Sequence, residues 1–531
     1  MMLQFYGELW FNRCMEELET GAKHTLHFVC TSPQSDCPDT VHENAKRAEK
    51  VQRLLGHPNC RLTSILFSVM SESVSYENEL GPIGALLNHC KEPGSQVKEI
   101  AVEWQTTNRW VALPDEVACR DGMYTQLIEA LTAENNTVES LELSDPPYPI
   151  VEYDRCNFVT RLLAKTLLMP HCKLRRLRLK RLKLLRTDLF SRILRHPRCT
   201  LRELYLEDVD GDARHFGILL EGNAPLSRLE RLHVNCKRVH GNEAGRSYAS
   251  LNDAIVSGCS SLIQADGNNL EELELLLNCG PGCTMTAAIP AALKSPNCRL
   301  RILRLRLFDM ENPTLLHGIV EALETDSSSL MHELDYFDNS NHHQAELSRL
   351  SAVIKTGRSR LRSFTMNKQT FNYEDNQGVL DVLDALTTPG NTLADLSLLT
   401  TADDAFGIQL CRSLMSSTCR LRSLTLHVQS GTLQSLSTYP QIIRAVRVSN
   451  LQSFVLRPFT VFSNEFKQGW FVIVVAMVSA RLIPRLGRQS WIRILPVETF
   501  IPKIAETLQW NLSALSDPTL EPYENSECAI N

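Results

Sequence analysis

The chain is expected to fold as an α/β solenoid, with a curved parallel sheet inside and helices outside. Three observations predict it. An apolar triplet at positions one, four and six of a short segment recurs along most of the chain, in steps of 27 to 41 residues. Stretches with helical apolar spacing separate the triplets. The 531 residues are too many for one compact core, whereas a solenoid core grows with every unit added.

The totals narrow the class. Hydrophobic residues make up 43%, ordinary for a globular chain. Against 55 Lys and Arg stand 61 Asp and Glu, and the net charge of −6 argues against nucleic acid as the general partner. The first ten residues, Met1 to Trp10, lack the basic and apolar regions of a signal peptide. The most apolar run, Trp470 to Ala480, is far shorter than the roughly 20 residues a bilayer span needs, so no membrane span is expected. Seventeen cysteines, an odd number, suggest reduced thiols and an intracellular protein, cytoplasmic or nuclear.

Residues 1–57 read as an N-terminal cap. Leu3, Phe5, Leu9, Trp10, Cys14 and Leu18 fall roughly on one helix face. Leu26, Phe28 and Cys30 alternate as in a strand, and a helix is expected from about Val41 to Leu55. Residues 58–460 hold about thirteen units. Their triplets begin at Leu62/Ile65/Phe67 and Val97/Ile100/Val102, and end at Leu421/Leu424/Leu426 and Leu451/Phe454/Leu456. Helical patterns fill the intervals, as at 158–168, 189–194 and 315–323.

Cysteine precedes the triplet by two residues at Cys60, Cys172, Cys199, Cys298 and Cys419. Pro58, Pro170, Pro197 and Pro296 stand two residues before four of these, where proline ends a helix. With the triplets, these features resemble leucine-rich repeats of the ribonuclease-inhibitor-like type. The resemblance implies a protein-binding concave sheet and is almost silent on function. The Asn or Cys that this family carries just after the triplet is matched by Asn278, but Met70, Leu182, Val209 and Phe308 depart from it.

Positions three, five and seven of each unit point away from the core and line the inner face. They are Glu99, Ala101, Glu103; Ser140, Glu142, Ser144; Arg176, Arg178, Lys180; Glu203, Tyr205, Glu207; Arg231, His233, Asn235; and Glu272, Glu274, Leu276. Ile302, Arg304, Arg306 and Glu333, Asp335, Phe337 follow. The sign alternates, so Arg176 is expected to reach Glu203, then Arg231 and Glu272, while Arg304 reaches Glu274 and Asp335. The charges either satisfy one another or form a mixed-charge docking face for a protein partner, and the two are compatible. The basic run from Arg175 to Arg186 therefore reads as one rung of this ladder. Later units are nearly uncharged and hydroxyl-rich, with Ser363, Thr365, Asn367, then Asp395, Ser397, Leu399, then Ser423, Thr425 and His427. Tyr205, Phe337 and Tyr336 mark the boundary, Tyr336 being a triplet residue and so expected in the core.

No phosphate loop, nucleophile elbow or metalloprotease motif is present. Cys279-Gly280-Pro281-Gly282-Cys283 reads as a loop with reduced thiols, and His342-His343 as a solvated loop pair. A non-catalytic scaffold without cofactor or metal is expected. Regulation of a GTPase is a further alternative, without an identifiable catalytic residue.

Residues 461–510 read as a helical C-terminal cap, with a buried helix over 470–480. Within it, Leu495-Pro496-Val497-Glu498, followed by Ile501, Ile504 and Leu508, resembles the opening helix of an F-box. That resemblance implies docking of a ubiquitin-ligase adaptor and a substrate-receptor role. Pro502 interrupts the match. Residues 511–531 read as a disordered tail.

Overall fold

Strand and helix alternate along the chain in a computed structural model. It describes residues 2–4, 24–30, 39–57, 59–70, 76–105, 114–144, 163–181, 187–207, 228–236, 248–278, 285–308, 314–325, 330–338, 343–368, 376–400, 403–429, 439–459, 473–476 and 491–494. The chain divides into two compact units, Met1–Asn278 and Cys279–Asn531.

In the first unit, β1 (Met2–Gln4), β2 (His24–Cys30), β3 (Leu62–Met70), β4 (Glu99–Gln105) and β5 (Ser140–Ser144) run parallel, each beside the next. They continue as β6 (Arg176–Lys180), β7 (Glu203–Glu207), β8 (Arg231–Cys236) and β9 (Glu272–Asn278). Parallel neighbours need a crossover, and helices supply it: α1 (Asp39–Leu55), α2 (Tyr76–His89), α3 (Pro114–Thr132), α4 (Thr187–Leu194) and α5 (Tyr248–Gln264). The second unit alternates α6 (Met285–Leu293), β10 (Ile302–Phe308), α7 (Thr314–Leu323), β11 (Glu333–Asp338), α8 (Gln344–Thr356) and β12 (Ser363–Lys368). Then come α9 (Gln377–Ala385), β13 (Asp395–Thr400), α10 (Asp404–Met415), β14 (Ser423–Gln429), α11 (Tyr439–Val448) and β15 (Ser453–Phe459). Strands β10 to β15 are parallel in sequence order.

The triplets set the register. Leu141, Leu177, Leu204, Leu232 and Leu273 stand opposite one another on β5 to β9. Every triplet side chain from Leu62 to Phe454 is at most 5% exposed. Burial of one such leucine stabilises by about 2 kcal/mol, so each rung adds a layer that the next strand must match. A slip of one residue would turn that layer outward.

Strand entry follows a rule that cysteine alone does not reveal. Two residues before the triplet stands Cys, Ser or Asn, whose side chain accepts a hydrogen bond from the triplet's first N–H. Asn136 Oδ1 accepts from Val138 at 2.8 Å, Asn268 from Leu270 at 3.1 Å and Asn391 from Leu393 at 2.9 Å. Ser95, Ser359 and Ser449 do the same for Val97, Leu361 and Leu451. The sulfurs of Cys60, Cys172, Cys199, Cys298 and Cys419 take the bond from Leu62, Leu174, Leu201, Leu300 and Leu421. A buried N–H needs an acceptor, and these small polar side chains fit the tight turn. The Asn amides also donate back to the preceding helix end, as Asn268 does to the Ile263 carbonyl at 2.7 Å.

Three expectations are corrected. Leu3 lies in strand β1, not on a helix. Within the apolar run Trp470–Ala480, residues Ile473–Ala476 form strand β16, antiparallel to β15 and to β17 (Trp491–Ile494), where a helix was expected. The run is rich in β-branched Val and Ile, which favour strands, and β15 offers an edge. His343 is only 4% exposed and packs edge-on against Tyr336 at 5.7 Å, as the N-cap residue of α8 rather than a solvated loop residue, while His342 lies outside the described residues. Tyr336 itself is fully buried, as its triplet position predicts.

The open sheet face as a candidate interaction surface

Between the buried triplet positions, the strands alternate to side chains that are only partly buried, as in β6 and β7. The backbone alternation thus collects positions three, five and seven into rows on one face. In the first unit the outer row is Glu99, Ser140, Arg176, Glu203, Arg231 and Glu272. The middle row is Ala101, Glu142, Arg178, Tyr205, His233 and Glu274, and the inner row includes Glu103, Lys180, Glu207 and Asn235, whereas Ser144, expected in that row, is buried at 2% exposure.

Opposite charges in these rows find each other. Arg176 Nε donates to Glu203 Oε2 at 2.6 Å, and Arg231 stands 3.4 Å from Glu203 and 3.3 Å from Glu272. Lys180 Nζ lies 2.6 Å from Glu142, and His233 Nδ1 lies 3.1 Å from Glu274. Arg178 pairs diagonally with Glu207, because Tyr205 occupies the place directly opposite it. The Arg178 guanidinium sits over the Tyr205 ring, 5.5 Å from its centre, and Tyr205 Oη donates to Glu203 at 3.3 Å. Tyr205 and His233 are also ring neighbours at 5.7 Å.

The electrostatics agree with the geometry. Burial pushes the Glu203 carboxyl up, but Arg176, Arg231 and the Tyr205 hydroxyl outweigh it and hold it below the usual carboxylate range. The same hydrogen bond raises Arg176. Burial, then the Glu203 charge, raises the Tyr205 phenol. The carboxylates are well covered, Glu203 and Glu207 at 18% exposure, while Arg176 and Arg231 keep 43% and 49%. The acids are anchors and the arginines are the reachable surface.

In the second unit, Arg304 stands directly opposite Asp335, yet the ion pairs run diagonally. Arg304 bonds Glu333 at 2.7 Å and Arg306 bonds Asp335 at 3.0 Å. The long guanidinium reaches one step along the neighbouring strand, which corrects the expected Arg304–Asp335 pair. Phe337 stands opposite Arg306, half-buried. Beyond β11 the face becomes hydroxyl-rich, with Ser363, Thr365, Ser397, Ser423 and Thr425 half-buried; the exposed Asp395 stands in register between Ser363 and Ser423, and Leu399, expected on this face, is buried.

The sequence reading left β2 out of the face. His27 Nε2 and Ser68 Oγ are 2.8 Å apart, and Ser68 is in register with Glu103. Burial lowers the proton affinity of His27, and the Glu103 charge opposes that. The alternation around Leu26 is the signal that would have extended the rows. Leu495, Pro496, Glu498, Ile501, Ile504 and Leu508 lie outside the described residues, as do Cys279 and Cys283.

Among the described residues, no group of three His, Cys, Asp or Glu could hold a metal ion, and no helix is long and apolar enough to cross a membrane. No family model matches the chain, and no curated protein matches it.

Proposed function

We propose that the chain is a divergent leucine-rich-repeat protein of about thirteen units and acts as a non-catalytic scaffold for a protein partner. The observation that carries this reading is the open sheet face. Fully buried triplet positions alternate with half-exposed ones on consecutive parallel strands in each unit. Such a surface is rigid, because every side chain on it stands on a strand held by neighbours on both sides.

The two units contribute differently to this reading. The charged rows around Arg176, Arg178 and Glu203 are already paired, so they stabilise the sheet and present arginine edges to a partner. The rows of Ser363, Thr365, Ser397, Ser423 and Thr425 hold hydroxyls, which adapt their hydrogen bonds at small cost. The partner is expected to engage these rows.

Affinity purification with mass spectrometry tests it. The double variant Thr365→Arg/Thr425→Arg adds bulk and charge to the face without touching a triplet residue. It should lose a protein that the unaltered chain retains, with its melting temperature within about 2 °C of the unaltered chain. An unchanged set of captured proteins, with the variant folded, rejects the face as the docking surface.

A further inference from the structure

On the open face of the unit Met1–Asn278, one carboxylate stands apart from the ladder. The other acids of the rows each lie within 3.9 Å of an Arg, Lys or His nitrogen. Among the described residues, no salt bridge or hydrogen bond holds Glu103, half-buried on β4. Its register neighbours are serines, Ser68 on β3 and Ser144 on β5. His27 on β2 is an electrostatic neighbour, and burial keeps that imidazole below its usual range and so neutral at pH 7. Lys180, the next residue in register beyond Ser144, is held by Glu142 at 2.6 Å.

The two serines are buried, at 3% and 2% exposure. Ser68 Oγ shares a hydrogen bond of 2.8 Å with His27 Nε2, and whichever atom donates, the oxygen keeps a lone pair. Among the described residues, Ser144 Oγ has no hydrogen-bond partner and neither has His27 Nδ1, although both atoms are buried. Buried polar atoms are ordinarily satisfied. Three adjacent strands thus carry, in one row and about 4.8 Å apart, a spare lone pair, a spare negative charge and a spare hydroxyl. Around Glu203, by contrast, arginines on both neighbouring strands supply the counter-charge.

We infer that Ser68, Glu103 and Ser144 receive the ammonium group of a lysine side chain carried by a protein partner. That group brings one positive charge and three N–H donors, which match one carboxylate flanked by a hydroxyl on either side. A guanidinium is the less suited occupant, because its planar fork pairs with the two carboxylate oxygens and leaves serines on opposite sides unengaged. A calcium ion takes about six to eight oxygen ligands, more than this row offers. No hydrogen bond or salt bridge fixes the Glu103 chain, so it can turn aside to admit the head group, and the slender stem of lysine reaches the serines beneath. The inference extends the open-face reading to this unit. Its test uses no residue of the hydroxyl rows on β12 to β14, so the two fail separately.

Saturation-transfer NMR on the full chain at low salt, which reads weak binding from the ligand's own signals, tests the inference. The probes are the capped peptide Gly-Ser-Lys-Ser-Gly and the same peptide with its lysine Nε-acetylated. The lysine peptide should bind about fivefold or more tightly than the acetylated one, and Glu103→Gln should weaken it about fivefold or more. Glu134→Gln, which removes an exposed carboxylate in the turn after α3, should change binding less than about twofold. Should Glu103→Gln melt early, Glu103→Ser is read in its place by the same criteria. Equal binding of the two peptides, unchanged binding by the folded Glu103 variant, or an equal loss in Glu134→Gln each overturns the inference.

Discussion

Replacing Glu203 by lysine should lower the stability of the first unit by about 2 kcal/mol. Glu203 holds Arg176 at 2.6 Å and Arg231 at 3.4 Å, and accepts from Tyr205 at 3.3 Å. A charge-assisted hydrogen bond contributes about 1.5–3 kcal/mol when fully buried. Both arginines are more than two-fifths exposed, so solvent reduces the Arg176 bond to about 1 kcal/mol. Reversal then adds repulsion from two cations, on the order of 1 kcal/mol after screening. Melting entropy for roughly 280 residues is about 0.6 kcal/mol per degree, so the transition should fall by about 3–4 °C. Glu203→Gln should fall by about half as much. The carboxyl is held below its usual value, so its stabilisation is complete above about pH 4.3 and is lost as pH falls through its folded value. The gap between unaltered chain and Glu203→Gln should stay constant from pH 8 to about 5 and shrink as pH falls through the folded value. Scanning calorimetry across that range, repeated at high salt, checks each part. Equal melting of the unaltered chain and Glu203→Lys at neutral pH, or a gap to Glu203→Gln that widens as pH falls below about 4.3, would refute the ladder argument.

Other positions give independent outcomes. Asn268→Leu should cost about 2–3 kcal/mol, because the Leu270 N–H and the Ile263 carbonyl lose their partner, while Asn268→Ser should retain most of the stability. Chemical denaturation of the two variants separates them. Gly378→Ala should destabilise by about 1–3 kcal/mol, since an added Cβ would lie 2.8 Å from Leu347 Cβ and collide with the Gln344 carbonyl, forcing α8 and α9 apart. Its thermal transition is the readout. The buried Cys90 thiol, pushed up to about 12 by burial, should resist iodoacetamide at pH 8 in the folded chain and react at once in denaturant, as mass spectrometry of the peptide will show.

The sequence made the core legible because leucine at the triplet positions has one reading, and every described one is buried. It made the face legible too, since strand alternation is a matter of geometry. What it hid has physical causes. Asn136, Asn268 and Asn391 look like ordinary loop residues, and only the hydrogen bonds show that they do the same work as Cys172 or Ser359. Arg304 was matched to Asp335 by register alone, but a side chain that long selects its partner by reach, and Glu333 on the diagonal wins. Ile473–Ala476 defeated periodicity because a short run of apolar residues fits helix and strand alike, and the edge of β15 decides between them.

Photo-crosslinking from the open face tests the central reading most directly. A benzophenone amino acid at Thr425, half-buried on that face, is compared with one at Ile408, 62% exposed on α10. Adducts with a partner protein from Thr425 and none from Ile408 are predicted. Adducts from Ile408 alone, or equally from both, would contradict the account.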